Sequence, residues 1–341
     1  MKRILNTLYV TTQGAYLRKE GESVIVVIGK ENKLRLPLLS LSSIVTFGNV
    51  LCSPFLLGAS SKYGISICML TEYGRYLGSF NGFTKGNVLL RRTQYRWADD
   101  PMKTAHIVRS VVIGKVINSR QVVLRRLREC PENIELKRVS VHLKGAMKRL
   151  QNITLNVDNM RGIEGDCAKE YFGVFNELIL SKEKEFIFYG RSRRPPMDRI
   201  NAVLSFGYTL LYSETKSALE SVGLDSAVGF LHKDRPGRNS LALDLMEEMR
   251  SFWVDRLALS LINRKQLAKR DFDVSDSGSV LLNDKGRKTF LTSWQKRKQD
   301  ELVHPFTNDK IHLGLLPFLQ AQLMARYIRG DLDAYPPFFW R

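Results

Sequence analysis

Over the first ninety residues the apolar positions come in short runs rich in β-branched and aromatic side chains, broken at close intervals by turn formers. Thr7–Thr12, Ser23–Ile28 and Ile65–Leu70 read as strands on this basis. Glu20-Gly21-Glu22 supplies one hairpin turn, and Glu72-Tyr73-Gly74-Arg75 supplies another ahead of Tyr76-Leu77-Gly78. One helix interrupts the strands: Ser53 is placed to cap it, Pro54 suits its first position, and Gly64 can take the left-handed conformation that ends it. The pattern changes after Gly86-Asn87. From Asp99 onward the apolar residues recur at helical spacing, as in Ile107, Val108, Val111, Val112 and Val116, with the next breaker at Pro131. Further periodic segments cover roughly 164–180, 200–220, 240–262 and 311–329. The expected fold is α+β, with a β-rich, sandwich-like domain over 1–92, a larger all-α-helical domain over 93–341, and Arg91–Trp97 as the connector.

Charge changes the picture from fold to ligand class. The 341 residues carry 53 Lys+Arg against 34 Asp+Glu, a formal net charge of +19, while 44% hydrophobic residues supply the core that disordered chains lack. An excess of this size points to phosphate, nucleic acid first and an anionic membrane surface second. Residues 91–150 hold 15 Lys/Arg and five acids, including Arg120, Arg125, Arg126 and Arg128, so about half the excess sits in under a fifth of the chain. Solvated helix faces normally alternate in sign, and this one largely does not. A second basic stretch, from Lys285 to Lys298, surrounds Phe290 and Trp294, which suit either stacking on bases or anchoring a core. The four cysteines, Cys52, Cys68, Cys130 and Cys167, form no CxxC pair, which argues against structural zinc and a disulfide framework. Met1-Lys2-Arg3 looks like the start of a signal peptide, but Asn6, Thr7, Thr11 and Thr12 break the stretch that follows, and no 18-residue apolar span occurs elsewhere. The expectation is a soluble protein of the reduced cytoplasm with no membrane partner.

The chemistry concentrates in two segments. In the first, apolar residues lead to His232, a Pro236-Gly237 turn follows, and Asn239 or Ser240 can cap a helix that carries Asp244 and Glu247 one turn apart. Two carboxylates so placed repel each other, and burial beside Leu243, Leu245 and Met246 sharpens the cost unless a metal or an arginine compensates. Arg238 and Arg250 are close enough in sequence to do so. The second segment, Arg161-Gly-Ile-Glu164-Gly, sets a single acid among small residues at the expected start of an amphipathic helix, where it could also simply complement the macrodipole. Glu164, His232 and Glu247 together make one nitrogen and two oxygen ligands. Hard carboxylates favour Mg²⁺ or Mn²⁺, one imidazole tilts toward Mn²⁺, and the basic surfaces would bring the phosphodiester.

These segments also resemble a known family. Arg161-Gly-Ile-Glu164-Gly, Asn201 through Tyr212, Gly229-Phe-Leu-His232 through Glu247, and Gln320 through Asp333 are similar, in order and over nearly the whole chain, to the CRISPR-associated integrases, the Cas-one proteins. The ending Tyr335-Pro-Pro-Phe-Phe-Trp-Arg341 looks most like the subtype I-C branch. The resemblance implies an N-terminal β domain for dimerisation, an α-helical catalytic domain with a divalent-metal site, and a homodimer assembled on a Cas-two dimer. It implies insertion of short foreign DNA into a CRISPR array, by attack of a fragment's 3′-OH on a phosphodiester at the repeat boundary, without ATP. The implied substrates are double-stranded DNA with single-stranded ends and CRISPR repeat DNA.

The family's metal-binding and catalytic positions fall on Glu164, His232 and Glu247, with Asp244 as a nearby supporting acid and Asn201 near the site. Where relatives often continue with Pro-Phe-Arg, this chain has Glu248-Met249-Arg250, which sets a second acid beside Glu247. On a regular helix Glu248 should project about 100° away. Two other readings share the same residues: a Mg²⁺- or Mn²⁺-dependent nuclease on branched DNA in repair, and a noncatalytic nucleic-acid-binding scaffold in which the acids merely pair with arginines.

Overall fold

The computed structural model describes residues 7–41, 43–72, 76–80, 82, 87–152, 156–181, 183–193 and 195–340. The chain divides into two compact units, Met1–Gly86 with 295–301 and 312–316, and the remainder from Asn87.

The first unit holds two four-stranded sheets. Their strands are β1 (Thr7–Val10), β2 (Tyr16–Glu20), β3 (Ser23–Ile28), β4 (Glu31–Pro37), β5 (Ser43–Phe47), β6 (Leu51–Cys52), β7 (Ser66–Leu70) and β8 (Tyr76–Phe80). One sheet runs β1-β5-β7-β8, with its first three strands parallel and β8 antiparallel. The other runs β4-β3-β2-β6. Its β2/β3 hairpin closes with Glu20 opposite Ser23, and Gly21 takes the positive φ of 56° that the tight turn needs. The second expected turn falls at Tyr73–Arg75, outside the described residues, but the strands flanking it pair antiparallel with Leu70 opposite Tyr76. Helix α1 (Pro54–Tyr63) begins where Ser53 accepts from the Leu56 amide at 3.2 Å and ends on left-handed Gly64. Leu17, Val24, Leu38, Ile44, Leu56 and Ile67 form the centre of this unit's core.

The second unit is helical. Residues Arg91–Trp97 are not a simple connector; they lie within α2 (Val88–Asp99), whose buried Gln94 donates to the carbonyls of Asp225 and Val228 and accepts from the Asp225 amide. Asp100 caps α3 (Pro101–Glu129) through the amides of Met102 and Lys103. The expected apolar stripe of α3, Ile107, Val108, Val111 and Val112, is wholly buried. Then follow α4 (Ile134–Asn152), α5 (Val157–Gly173) and α6 (Arg199–Val222), the last capped by Asp198 and ended by Gly223 at φ 87°. Helix α7 (Ser240–Met249) passes without a break into a π-helical turn, Arg250–Asp255, and on into α8 (Arg256–Asn263). Helices α9 (Asp284–Lys298) and α10 (Leu316–Arg329) complete the set described here.

Phe290 and Trp294 are fully buried, and Trp294 stacks on Trp253 at 4.7 Å between centroids, so these aromatics are core anchors and do not offer themselves to bases. No helix among the described residues is long and apolar enough to cross a membrane.

Candidate metal centre

The loop that carries His232 is built around one buried carboxylate. Asp244, fully buried on α7, accepts from the amides of Phe230 (2.6 Å) and Leu231 (2.9 Å) with Oδ2, and from the His232 amide (2.9 Å) with Oδ1. The same Oδ1 lies 2.7 Å from Nδ1 of His232. A carboxylate can only accept, so Nδ1 carries the proton and the lone pair stays on Nε2, aimed away from Asp244. Gly229 permits the close approach. A Cβ there would lie 2.7 Å from Ser240 Cβ and 2.9 Å from Asp244 Oδ2, closer than side chains pack. Arg161 pins the loop from the other side, its Nε donating to the Leu231 carbonyl at 2.7 Å.

One turn beyond Arg161, Glu164 faces the same space. It stands in the middle of α5, which Asn156 caps, so the macrodipole does not account for it: that effect fades within the first turn. Glu247 reaches in from α7 and is 3% exposed. Glu247 links the three side chains: the Lys115 ammonium of α3 pairs with Glu164 and, at 2.7 Å, with Glu247 Oε2, while His232 Nε2 stands 3.9 Å from Glu247 Oε1. Arg250 takes that second oxygen at 3.0 Å. Burial pushes the Glu247 carboxyl up, but Arg250, Lys115 and His232 outweigh it and hold it down at about 2. Burial likewise opposes the Lys115 charge, and Glu247 and Glu164 overcome it, so the ammonium's pKa is raised.

The cluster lines a cavity of about 200 Å³ together with Arg191, Arg193, Tyr208, Ser251 and Asp255. Asp255, buried, accepts from Tyr208 (2.5 Å) and Tyr171 (3.0 Å). Desolvation and the Asp255 charge raise both phenols well above their ordinary range, so they remain donors. Arg191 and Arg250 each lie 5.2 Å from the Tyr208 ring centroid. Asn201, fully buried, sets Arg191 in place: its Oδ1 accepts from the guanidinium at 2.5 Å and from the Ser192 amide, while its Nδ2 donates to Gly190 and Asp198. Arg250 Nε and Ser251 Oγ are buried with no hydrogen-bond partner among the described residues.

One sequence candidate, Arg238, stands elsewhere, and Glu248 points away as expected. Arg238 lies on the turn entering α7, its amide donating to the Arg235 carbonyl, and does not line the cavity; Arg250 is the arginine that meets Glu247. Glu248 is turned away as its position on the helix requires. It is buried against the C-terminal tail, accepting from Gln320, the Tyr335 hydroxyl and the Phe338 amide, and burial lifts its carboxyl to about 7 against those donors. Lys115, Arg191, Tyr208 and Asp255 carried no assigned role at the level of sequence.

Among the described residues no three His, Cys, Asp or Glu side chains already stand as a coordination shell. The donor set nevertheless suits a hard divalent ion: two carboxylates share one cation, and the Nε2 lone pair of His232 stands 3.9 Å from the second oxygen of Glu247. The Asp244–His232 pair is the carboxylate–imidazole arrangement that orients metal-binding histidines.

Residues 8–296 match the family described as CRISPR associated protein Cas1. The chain belongs to the Cas1 family. It is 54% identical, over all of both chains, to the CRISPR-associated endonuclease Cas1 1 of Chlorobaculum tepidum. Its fold is shared by a casposase bound to integration product, with a TM-score of 0.85 and 22% identity over 98% of this chain and 94% of that one. It also matches a chain of a Cas6-RT-Cas1–Cas2 complex, with a TM-score of 0.82 and 25% identity over 98% of this chain and 36% of the longer one. Glu164, His232 and Glu247 thus line one cavity on a fold that a casposase shares.

Proposed function

We propose that this Cas1 chain is a metal-dependent DNA endonuclease and integrase of CRISPR adaptation, which joins the 3′-OH of a short DNA fragment to a phosphodiester of the array. The observation that carries this is that Glu164 and Glu247 share one cation, with His232 beside Glu247, on a cavity lined with arginines. These three side chains would hold Mg²⁺ or Mn²⁺, which supplies Lewis-acid polarisation of a phosphoryl oxygen and helps deprotonate the attacking hydroxyl. The chain's own groups do the rest. Asp244 keeps the proton on Nδ1 of His232 and so keeps Nε2 a ligand. Arg250 and Arg193 line the cavity as cationic groups for phosphodiester oxygens, and Arg191, fixed by Asn201, adds a third. Arg92, Arg125, Arg128, Lys144 and Lys148, all exposed on α2, α3 and α4, suit the backbone of double-stranded DNA with single-stranded ends and of the repeat.

The relatives' names, which include an endonuclease, a casposase with its integration product and a Cas1–Cas2 complex, support the assembly as well. We assign dimerisation to residues 1–92 and catalysis to 93–341, in a homodimer that sits on a Cas2 dimer. The test is strand transfer of a DNA fragment into a repeat-bearing plasmid with Mn²⁺. His232→Ala or Glu247→Ala should abolish joining while leaving DNA binding largely intact. Full retained joining refutes the site, and cut strands without joined ones in the unsubstituted protein would make it a hydrolytic nuclease.

A further inference from the structure

Resting on the reading that Glu164, His232 and Glu247 hold a divalent ion, we infer that Lys115 is the resident occupant of that position, a positioning residue that holds the ligands together until the metal displaces it. Its ammonium reaches the cluster from α3, whereas Glu164 comes from α5 and Glu247 from α7, so one side chain ties together two elements that would otherwise repel each other. Removing that charge leaves the buried Glu247 facing the partly buried Glu164 with no cation between them.

The exchange follows from charge and distance. Glu164 and Glu247 are met by Lys115 and Arg250, two negative groups by two positive ones. A divalent ion added to this balance leaves two uncompensated positive charges where dielectric screening is poor. It also needs oxygens at about 2.1 Å, inside the 2.7 Å at which Glu247 Oε2 contacts the ammonium. Arg250 can stay, because it uses the other oxygen of Glu247. Lys115 must go.

The cavity beside it holds Arg191, Arg193 and Arg250, so the released ammonium has more cations for neighbours, and its natural partner there is an incoming phosphodiester. Metal and DNA should therefore bind cooperatively, each improving the other's affinity by the same factor, with Lys115 as the link.

The experiment measures Mn²⁺ binding to the full-length protein by calorimetry, with and without a short oligodeoxythymidine strand, for the unsubstituted chain and for Lys115→Met. The unsubstituted protein should bind Mn²⁺ about tenfold more tightly when the strand is present. Lys115→Met should bind Mn²⁺ about tenfold more tightly than the unsubstituted protein in the absence of DNA, and should lose the gain from DNA. Its melting temperature should fall in chelator and recover with saturating Mn²⁺. Lys115→Gln, which is polar but carries no charge, should behave the same way and serves if the methionine variant fails to fold.

If the unsubstituted protein binds Mn²⁺ and neither variant binds it more tightly, the role of Lys115 is refuted while the metal site stands. If the unsubstituted protein binds no Mn²⁺ with or without DNA, the metal site itself is refuted, and this inference with it.

Discussion

Asp244→Asn tests whether the carboxylate beneath the His232 loop holds the site together. The substitution keeps the shape and removes one acceptor oxygen. If the amide oxygen faces Phe230 and Leu231, the amide NH₂ confronts the His232 amide and Nδ1; in the opposite orientation it confronts Phe230 and Leu231. Either way two charge-assisted hydrogen bonds are lost and buried donors are left facing a donor. At about 1.5–3 kcal/mol for each bond to a charged group, the loss is on the order of 3–6 kcal/mol. Each kcal/mol lowers the melting temperature by about 2–4 °C in a domain of this size, so the lower bound alone predicts a fall of roughly 6–12 °C. The loss should also appear in function, because the first orientation favours the His232 tautomer with its proton on Nε2, and strand transfer should drop at saturating Mn²⁺ even at temperatures where the variant is folded. Thermal unfolding followed by circular dichroism, with strand transfer measured below the transition, checks both. A variant melting within about 2 °C of the unsubstituted protein would refute the claim that this carboxylate builds the loop.

Gly229→Ala forces a methyl group against the Ser240 backbone at 2.8 Å and Asp244 Oδ2 at 2.9 Å. It should cost about 1–3 kcal/mol in denaturant unfolding and lower strand transfer by displacing His232. Glu248 is held at about 7, above its ordinary 4.5, so the folded protein binds this proton more tightly than the unfolded chain does. Its contribution to stability is therefore full below about 4.5, declines as pH rises toward 7 and is flat above, a change of about 3 kcal/mol. Glu248→Gln should flatten that decline, read by comparing denaturant midpoints at pH 5 and pH 8. Cys167 lines the cavity, but burial pushes its thiol up to about 12. Thiol reagents at neutral pH should label the half-buried Cys130 faster than Cys167, as peptide mapping would show.

What the sequence disclosed was mostly local. The helix from Pro54 and the hairpin at Gly21 were readable because a cap, a proline and a positive-φ glycine each act within a few residues. The parallel pairing of β1, β5 and β7 was not, since it joins segments about twenty to forty residues apart through no local signal. Gly162 and Gly165 suggested that a helix began near Glu164, yet both sit on an open face of α5, where glycine is tolerated. The site shows the same division. Asp244 and Glu247 were visible from their one-turn spacing, but which arginine answers Glu247 depended on side-chain direction, and Arg250 prevailed over Arg238. Lys115 was hidden among 15 cations in residues 91–150. A signal for it exists: it falls on the apolar stripe of Val108, Val111, Val112 and Val116, where a lysine has no reason to lie unless something inside the protein needs its charge.

The π-helical turn between α7 and α8 sets the angular phase of the active face. In a regular helix Asp255, eight residues after Glu247, would be rotated about 80° from it, but one residue accommodated in a widened turn subtracts about 100° and brings the two nearly into line. Both acids therefore look into the same chamber from a single continuous rod. Excising one residue from Phe252–Val254 would unscrew the tyrosine-bound end from the lysine-bound end without removing any group that either one touches.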